Sequence, residues 1–309
     1  MTEAESDAKP LFVVVGPTAS GKTELAVELA ARLGGEIVSA DSVQIYRHFD
    51  VGTGKPSGEE RARAPHHLID LLEPLEPMDA GRWVELAERA IEDVRRRGRV
   101  PIVCGGTFLW VRALIHGLVA APPADSSVRE RHHELAASEG RAALHARLAE
   151  VDPESARRLA PNDFVRVSRA LEVHELTGEK LSAIQEQHGF RAKRHPARLV
   201  GLLRTTSELD ERIAARVRSM LAAGFVDEVR ELVRQGYGGA RPMGSVGYRQ
   251  IHDALAAGTA SDTQALAESI RRATRVFARR QRTWLRREPV EWLEPSVALE
   301  TLSPSPRRG

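Results

Sequence analysis

The sequence predicts an α/β fold in which a parallel sheet of the P-loop type is flanked by helices and interrupted by an all-helical insertion domain. Three observations predict this fold. Short apolar runs alternate with helical stretches between residues 11 and 120. The first apolar run leads into the phosphate-loop pattern GPTASGKT and then into a helix. Residues 126–187, in contrast, carry helical patterns and no strand pattern.

Each predicted strand is a short apolar run, in most cases rich in β-branched residues. The predicted strands are Leu11–Val15, Glu36–Ser39, His67–Leu71, Val100–Cys104, Leu199–Leu203 and an edge strand at Val290–Leu293. Helices are predicted between the early strands, at Glu24–Leu33 and at about Ala80–Arg97. Strands that alternate with helices favour a parallel sheet with helices on its faces.

Two segments rich in proline or glycine divide the chain, at 120–125 and at 188–196. Residues 1–123 and 197–309 are therefore predicted to form the α/β catalytic core. Residues 124–196 are predicted to form a separate helical insertion domain. The last residues, 303–309, are expected to be a disordered tail.

Composition excludes several classes of protein. The 309 residues are 42% hydrophobic and carry a net charge of +2, which is ordinary for a globular chain. The single cysteine, Cys104, rules out an internal disulfide, and it lies in an apolar run that predicts a buried thiol. No apolar stretch is long enough to cross a bilayer, and the polar first ten residues do not resemble a secretory signal. We therefore expect a cytoplasmic protein without a membrane partner.

A complete phosphate-loop pattern follows the first strand. Its residues are Gly16, Pro17, Thr18, Ala19, Ser20, Gly21, Lys22 and Thr23. The backbone N–H groups of such a loop and the N-terminus of the next helix direct positive partial charge at an oxyanion. Lys22 adds a full charge, and the Thr23 hydroxyl can bind Mg²⁺. The loop predicts a site for a di- or triphosphate group.

Two further strand ends carry polar residues. Asp41 follows the second strand, and Thr107 follows the fourth through Gly105 and Gly106. In a parallel sheet these ends meet at the ligand-binding edge, beside the phosphate loop. Simpler explanations remain for each residue, since Asp41 can form a turn and Thr107 can cap a helix. Asp70 is a further candidate for a magnesium-binding acid.

The histidines do not predict a zinc site. His66-His67 and His132-His133-Glu134 lack the required spacing. The run from Arg271 to Arg287 contains eight arginines and no acid. Such a run suits either a solvated helix face or a phosphate backbone. Val276, Phe277 and Trp284 lie off the main arginine stripe, and we expect them to face the core.

Taken together, the motifs have a recognisable order. They are GPTASGKT at 16–23, SADS at 39–42, DVGT at 50–53 with KP at 55–56, PHHLID at 65–70, GGT at 105–107, PND at 161–163 with Arg166, RALE at 169–172, GYR at 247–249 and RRQRTW at 279–284. In this order, over residues 11–293, they resemble the bacterial tRNA dimethylallyltransferases.

The resemblance implies a reaction. A dimethylallyl group would pass from dimethylallyl pyrophosphate to the N6 amine of the adenine on the 3′ side of the anticodon in tRNA, with Mg²⁺ as cofactor. It also implies roles for single residues. Asp41 would be the general base, Thr107 would help to place the substrates, Arg216 would assist the pyrophosphate and Thr23 would bind the metal. One subunit contains every required part, so we expect a monomer.

The resemblance further implies contacts with the tRNA anticodon stem-loop, chiefly from three segments and from Arg129. The residues concerned are Asp41, Ser42, Val43, Gln44, Arg129, Val165, Arg166, Val167, Ser168, Arg169, Ser245, Val246, Gly247, Tyr248, Arg249 and Gln250. The insertion domain would grip the anticodon stem.

Two segments depart from the family pattern. Trp110 stands where the family usually has tyrosine, which predicts a repacked edge of the isoprenoid pocket, and 77–83 lacks the usual Tyr-Ser segment. Three alternatives remain open on the residues alone. They are an isopentenyl transferase acting on free adenine nucleotides, a P-loop kinase or ATPase, and an RNA-binding module without enzymatic activity.

Overall fold

The structure, a computed structural model, describes residues 10–189 and 194–302. The expected tail at 303–309 lies outside the described residues. The chain divides into two compact units. One comprises Met1–Ile115 and His195–Gly309, and the other comprises His116–Arg194. The helical unit thus begins at His116 rather than at residue 124 and ends at Arg194 rather than at residue 196.

The first unit is built on a six-stranded, fully parallel sheet with the order β3-β2-β4-β1-β5-β6. The strands are β1 Leu11–Val15, β2 Gly35–Ser39, β3 His66–His67, β4 Val100–Gly105, β5 Ala197–Leu202 and β6 Val290–Leu293. The predicted α/β class with a parallel sheet is confirmed. The prediction of a strand over His67–Leu71 is wrong, because Leu68 and Asp70 have positive φ angles of 61° and 55° that end the extended chain.

Fourteen α-helices accompany these strands in the described part of the chain. They are α1 Lys22–Leu33, α2 Gly58–Arg63, α3 Ala80–Arg96, α4 Phe108–His116, α5 Ser126–Ser138, α6 Arg141–Val151, α7 Pro153–Arg158, α8 Phe164–Thr177, α9 Leu181–His188, α10 Thr206–Ala222, α11 Phe225–Arg234, α12 Tyr248–Ala256, α13 Thr263–Leu285 and α14 Ala298–Leu302. None of the described helices is long and apolar enough to span a bilayer.

The two faces of the sheet are covered by different helices. Side chains alternate along β1, so Val13 and Val15 face one way and Val14 faces the other. Val13 and Val15 pack in a core with residues of α3, α4 and α10 to α13. Val14 packs with residues of α1 and α14. Helices on both faces leave the ends of the strands as the accessible edge.

Helix α13 is oriented differently from the prediction. Val276, Phe277 and Trp284 are 46%, 40% and 38% exposed, so the prediction that they face the core is wrong. The buried stripe of the helix instead follows residues 270, 274, 278, 281 and 285. This stripe repeats every three or four residues, as the period of a helix requires.

Arginines of the same helix form ion pairs with acids from outside the run. Arg271 pairs with Glu268, and Arg275 pairs with Asp210 on α10, each at 2.9 Å. Part of the arginine run is therefore a solvated, paired face.

The second unit consists of α5 to α9 and has a small apolar core that includes Leu144, Leu148 and Val167. Asp152, which is fully buried, accepts hydrogen bonds from the backbone N–H and the hydroxyl of both Ser155 and Ser182. Burial alone would raise the pKa of Asp152, but these four bonds lower it to about 2.

Candidate active site

The phosphate loop connects β1 to α1 at the edge of the sheet where strands end. Ala19 and Gly21 have positive φ angles of 64° and 95°, which turn the backbone tightly before the helix begins at Lys22. The loop is also closely packed, because a Cβ at Gly16 would lie 2.5 Å from Ser20 Oγ. These features produce the compact loop that close approach of backbone N–H groups to an anion requires.

Lys22 is the loop's cation, and its Nζ lies 3.5 Å from the Pro17 carbonyl oxygen. Burial lowers the pKa of Lys22, and the charge of Arg216 lowers it further, while Asp41 acts in the opposite direction. The desolvated ammonium therefore gains stabilisation from any anion that binds in the loop. Cys104 is buried beside Lys22, and burial raises the pKa of this thiol to about 12, so it stays protonated and unreactive.

Asp41 lies just beyond the end of β2. Its Oδ1 accepts hydrogen bonds from the backbone N–H groups of Val43 and Gln44, at 2.9 and 3.3 Å. Asp41 therefore forms a turn, which is the structural role that the sequence left open for it. Its other oxygen, Oδ2, has no hydrogen-bond partner within 10–189 and 194–302, so this oxygen remains available to a ligand.

Thr107 joins the loop after β4 to the Asp41 turn. Its Oγ1 accepts a hydrogen bond from Ser42 N at 3.0 Å, and its N–H donates to the carbonyl oxygen of Ala40 at 3.1 Å. Because the oxygen accepts from another loop, the hydroxyl serves a tertiary contact rather than capping α4. Thr107 also lines the cavity, so its hydroxyl proton can be donated to a ligand there.

Arg216, on α10, contacts the segment 50–54. Its Nη2 donates to the Thr53 carbonyl oxygen at 2.9 Å, and burial lowers the pKa of its guanidinium while Asp41 opposes that effect. The carboxylate of Glu228 holds the same segment by accepting from Asp50 N at 3.1 Å and Val51 N at 2.7 Å. Sequence reasoning missed Glu228, and no local signal marks it.

Gln281 is the amide residue of the motif RRQRTW, and the sequence alone predicts no role for it. Its Oε1 accepts a hydrogen bond from Thr18 N at 2.8 Å, and its Nε2 donates to the Gly106 carbonyl oxygen at 3.0 Å. An uncharged amide within an arginine run, at a position in register with the buried stripe, was the signal that could have identified it.

These elements surround one cavity of about 390 Å³. The predicted residues that line it are Thr18, Lys22, Thr23, Asp41, Ser42, Val43, Gln44, Thr107, Arg216, Ser245, Val246, Gly247, Tyr248 and Arg249. Phe277, Arg280 and Gln281 of α13 line it as well. A phosphate loop, a carboxylate and three further cationic side chains thus line a shared volume large enough for a small organic ligand.

Some residues expected to contact tRNA have other roles. Tyr248 is buried, packs against Phe49 and Phe225, and donates its hydroxyl to Glu228 Oε1 at 2.6 Å. Burial raises the pKa of Tyr248, and the neighbouring Glu228 raises it further. Gln250 caps α12 by accepting from Gly247 N at 2.8 Å. The Tyr248 side chain is therefore not free to contact RNA.

The segment 165–169 and Arg129 belong to the helical unit. Val167 and Ser168 are buried there, which leaves their side chains no direct contact with RNA, whereas Val165 is 76% exposed and Arg166 is also exposed. Arg129 forms two hydrogen bonds of 3.0 Å with the fully buried carboxylate of Glu172.

Arg169 binds the same Glu172 carboxylate at 2.6 Å and donates to the Pro122 carbonyl oxygen. Burial would raise the pKa of Glu172, but hydrogen bonds from Arg129 and Arg169 lower it. Both arginines therefore share one carboxylate, and the three side chains together keep a net charge of +1.

Asp70 is also committed elsewhere, since its carboxylate pairs with Lys55 and with Arg61. This removes it as a magnesium-binding acid. Over the described ranges there is no group of three or more His, Cys, Asp or Glu side chains that could hold a metal ion by themselves. Any ion in the cavity would need ligands from a bound substrate.

Trp110 does not form an edge of the cavity, so the predicted change in the isoprenoid pocket is not found there. It stacks on Trp83 instead, with ring centroids 5.1 Å apart and planes 17° apart. The indole N–H of Trp83 donates to the Ser39 carbonyl oxygen at 3.1 Å, two residues before Asp41. Both departures from the family pattern therefore meet in one buried contact.

The class that these features define is an α/β protein of the P-loop type, in which the phosphate loop and Asp41 line one cavity at the ends of the parallel strands. Comparison with known proteins identifies the family. The IPP transferase family matches residues 44–288, and the family described as Isopentenyl transferase matches residues 9–67. The chain belongs to the IPP transferase family.

Individual relatives agree over almost the whole chain. The tRNA dimethylallyltransferase of Sorangium cellulosum is 63% identical over 283 residues, which are 92% of this chain and 90% of that protein. The protein of the same name from Myxococcus xanthus is 47% identical over 289 residues, or 94% and 93% of the two chains.

Solved structures are similar as well. The tRNA isopentenylpyrophosphate transferase of Bacillus halodurans has a TM-score of 0.70 at 34% identity, covering 96% of this chain and 95% of that chain. A eukaryotic dimethylallyltransferase acting on tRNA has a TM-score of 0.75 at 25% identity, covering 96% and 73%.

Proposed function

We propose that this protein transfers a dimethylallyl group from dimethylallyl pyrophosphate to the N6 amine of the adenine on the 3′ side of the tRNA anticodon, and releases pyrophosphate. The observation that carries the proposal is the common cavity of Lys22 and Asp41. Lys22 can bind the departing pyrophosphate, and Asp41 can accept the proton of the attacking amine. The names of the relatives support the same reaction.

The donor end of the cavity suits an allylic pyrophosphate. The C–O bond of such a donor loosens before attack, so negative charge grows on the pyrophosphate. The loop amides and Lys22 would bind that charge, and Arg216 would assist. Because burial lowers the pKa of Lys22 in the free protein, the bound anion restores the favourable charged state of the ammonium.

At the acceptor end Asp41 would act as the general base. As the N6 nitrogen forms its bond to the allylic carbon, the C–O bond breaks and the electron pair leaves with the pyrophosphate. The excess proton on nitrogen passes to Asp41 Oδ2, the oxygen that the turn does not use. Thr107 can donate its hydroxyl proton to the acceptor base while its oxygen remains bonded to Ser42 N.

The donor set fits a magnesium ion that arrives with the substrate. Thr23 lines the cavity beside Lys22, and Mg²⁺ commonly combines one or two protein oxygens with phosphate oxygens and water. When bound, the ion would neutralise charge on the leaving pyrophosphate. Without phosphate oxygens, the Thr23 hydroxyl offers too little to hold it.

The acceptor adenine must leave the stacked anticodon loop to enter the cavity, at a cost of a few kcal/mol. Exposed side chains at the cavity offer compensating contacts, namely Ser42, Arg249, Phe277 and Arg280. In the helical unit Arg129, Val165 and Arg166 are the exposed members of the predicted set, and Arg129 is also paired with Glu172. We propose these residues as the direct tRNA contacts of a cytoplasmic monomer.

A direct test incubates the purified protein with Mg²⁺ and labelled dimethylallyl pyrophosphate, and with tRNA, AMP or no acceptor. We expect label in tRNA only, and mass analysis of nucleosides should show one adenosine heavier by a dimethylallyl group. Label in AMP alone would favour a transferase for free nucleotides. Release of ADP from ATP without prenyl transfer would favour a kinase or ATPase.

A further inference from the structure

We propose that Gln281 is a positioning residue whose side-chain amide holds the phosphate loop and the Thr107 loop in one arrangement. We call this pair of hydrogen bonds the Gln281 bridge. The inference rests on the proposed transferase reaction, in which the first loop binds the departing pyrophosphate and the second faces the acceptor amine.

The bridge uses both ends of one rigid group. Oε1 accepts from Thr18 N at 2.8 Å, while Nε2 donates to the Gly106 carbonyl oxygen at 3.0 Å. The oxygen and the nitrogen of an amide keep a fixed separation, so the loops cannot slide past each other without breaking a bond. Gln281 is only 5% exposed, and water has little access to replace either contact.

The bridge leads to the proposed base through consecutive contacts. Gly106 precedes Thr107, Thr107 Oγ1 accepts from Ser42 N, and Ser42 follows Asp41 directly. A continuous path therefore joins the anion-binding loop to Asp41. Shifts of about 1 Å between reacting groups can cost about 100-fold in rate, so this path controls a distance that matters for chemistry.

Gly106 is shaped to accept the bridge. A Cβ at this position would lie 2.6 Å from Gln281 Nε2, and its next nearest neighbours are 3.8 Å away. Alanine can therefore be accommodated if the flexible end of the glutamine side chain swings aside. The substitution Gly106→Ala is thus a mild way to break the bridge from the opposite side.

The test compares full-length Gln281→Met, Gly106→Ala and the double variant with the wild-type protein. Methionine has a similar volume to glutamine but makes neither hydrogen bond. The matched control is Gln235→Met, since Gln235 is exposed at the end of α11 and, among the described residues, its side chain hydrogen-bonds to Glu231 alone. Four quantities are measured for each protein: kcat and KM for dimethylallyl transfer to tRNA, the Kd for inorganic pyrophosphate, and the melting temperature.

We expect kcat to fall about 10- to 100-fold in both single variants. The KM for tRNA should stay within about twofold of the wild-type value, because the bridge makes no RNA contact. Pyrophosphate should bind about 3- to 10-fold more weakly to Gln281→Met. Both substitutions break the same contact between Gln281 and Gly106. The kcat of the double variant should therefore lie within about threefold of that of the less active single variant, whereas the losses from two independent effects would multiply.

Unchanged kcat and pyrophosphate affinity in Gln281→Met would overturn the proposal, as would multiplying effects in the double variant. If Gln281→Met failed to fold, Gly106→Ala alone would decide by the same readouts. A wild-type protein that transfers no dimethylallyl group would instead contradict the proposed function. The pyrophosphate measurement would still test the bridge in that case.

Discussion

Replacing Asp41 with asparagine separates the chemistry of this residue from its structural contacts. Asparagine keeps a side-chain oxygen that can accept from Val43 N and Gln44 N, which lie 2.9 and 3.3 Å from Asp41 Oδ1. The turn should therefore persist, but the amide cannot take up the proton of an attacking amine. Loss of a general base typically costs about 10²- to 10⁴-fold in rate, or about 3–5 kcal/mol in the barrier.

Alanine at the same position removes both backbone contacts as well. Each hydrogen bond contributes about 0.5–1.5 kcal/mol, so Asp41→Ala should destabilise the turn by an additional ~1–3 kcal/mol. The asparagine variant should bind tRNA as the wild-type protein does, and the alanine variant somewhat less tightly. If Asp41→Ala binds tRNA less tightly than Asp41→Asn while both transfer the dimethylallyl group equally slowly, the loss of affinity comes from the turn.

The assay is single-turnover transfer of labelled dimethylallyl to tRNA at saturating protein and donor, with tRNA affinity measured by filter binding. Asp262→Asn is the control, because Asp262 Oδ1 accepts from Ala265 N at 2.9 Å at the start of α13, away from the cavity. Transfer by Asp41→Asn at more than about one tenth of the wild-type rate would refute the assignment of Asp41 as the base.

Three further predictions concern other parts of the molecule. Lys22→Met should weaken pyrophosphate binding about 10- to 100-fold in calorimetry, since a charge-assisted hydrogen bond contributes about 1.5–3 kcal/mol; unchanged affinity would remove the lysine from the anion site. Phe277→Ala should weaken tRNA binding by about 1–3 kcal/mol, because the exposed ring can stack on a base of the anticodon loop, and should leave donor binding unchanged. Val276→Ala should change neither affinity; equal losses of tRNA affinity in the two variants would contradict stacking of Phe277 on a base. Asp152→Asn should lower the free energy of unfolding by about 2 kcal/mol at pH 7, because the folded-state pKa is about 2 and the unfolded value is 3.8. This stabilisation is present above about pH 4 and is lost as the pH falls toward 2, so urea unfolding of the variant and the wild type should converge in acid, and a constant difference would contradict the assignment.

Local sequence patterns were sufficient for most of the fold. The predicted bounds of β1 and β6 coincide with those of the structure, because each is a short apolar run that needs no distant information. Periodicity failed where the backbone departs from regular geometry, as at Leu68 and Asp70. It also failed on α13, where an arginine run masked the buried stripe that ends at Leu285.

The candidate site was predictable where residues follow strand ends. The parallel sheet brings Asp41 and Thr107 to the phosphate loop because neighbouring strands end at the same edge. Gln281 and Glu228 could not be found in this way. Gln281 lies 263 positions from Thr18, and Glu228 lies 178 positions from Asp50, so only the tertiary fold brings these partners together.

The stacked pair of Trp83 and Trp110 has a consequence for exchanging residues between relatives. Offset or stacked aromatic pairs add about 0.5–1.5 kcal/mol beyond the area they bury. Replacing Trp110 alone with tyrosine would give Trp83 a smaller stacking partner, and the indole that donates to the last residue of β2 would lose part of its support. Because each indole supports the other, we expect a chimeric protein to keep its stability when Trp83 and Trp110 are exchanged together, and to lose some of it when only one is exchanged.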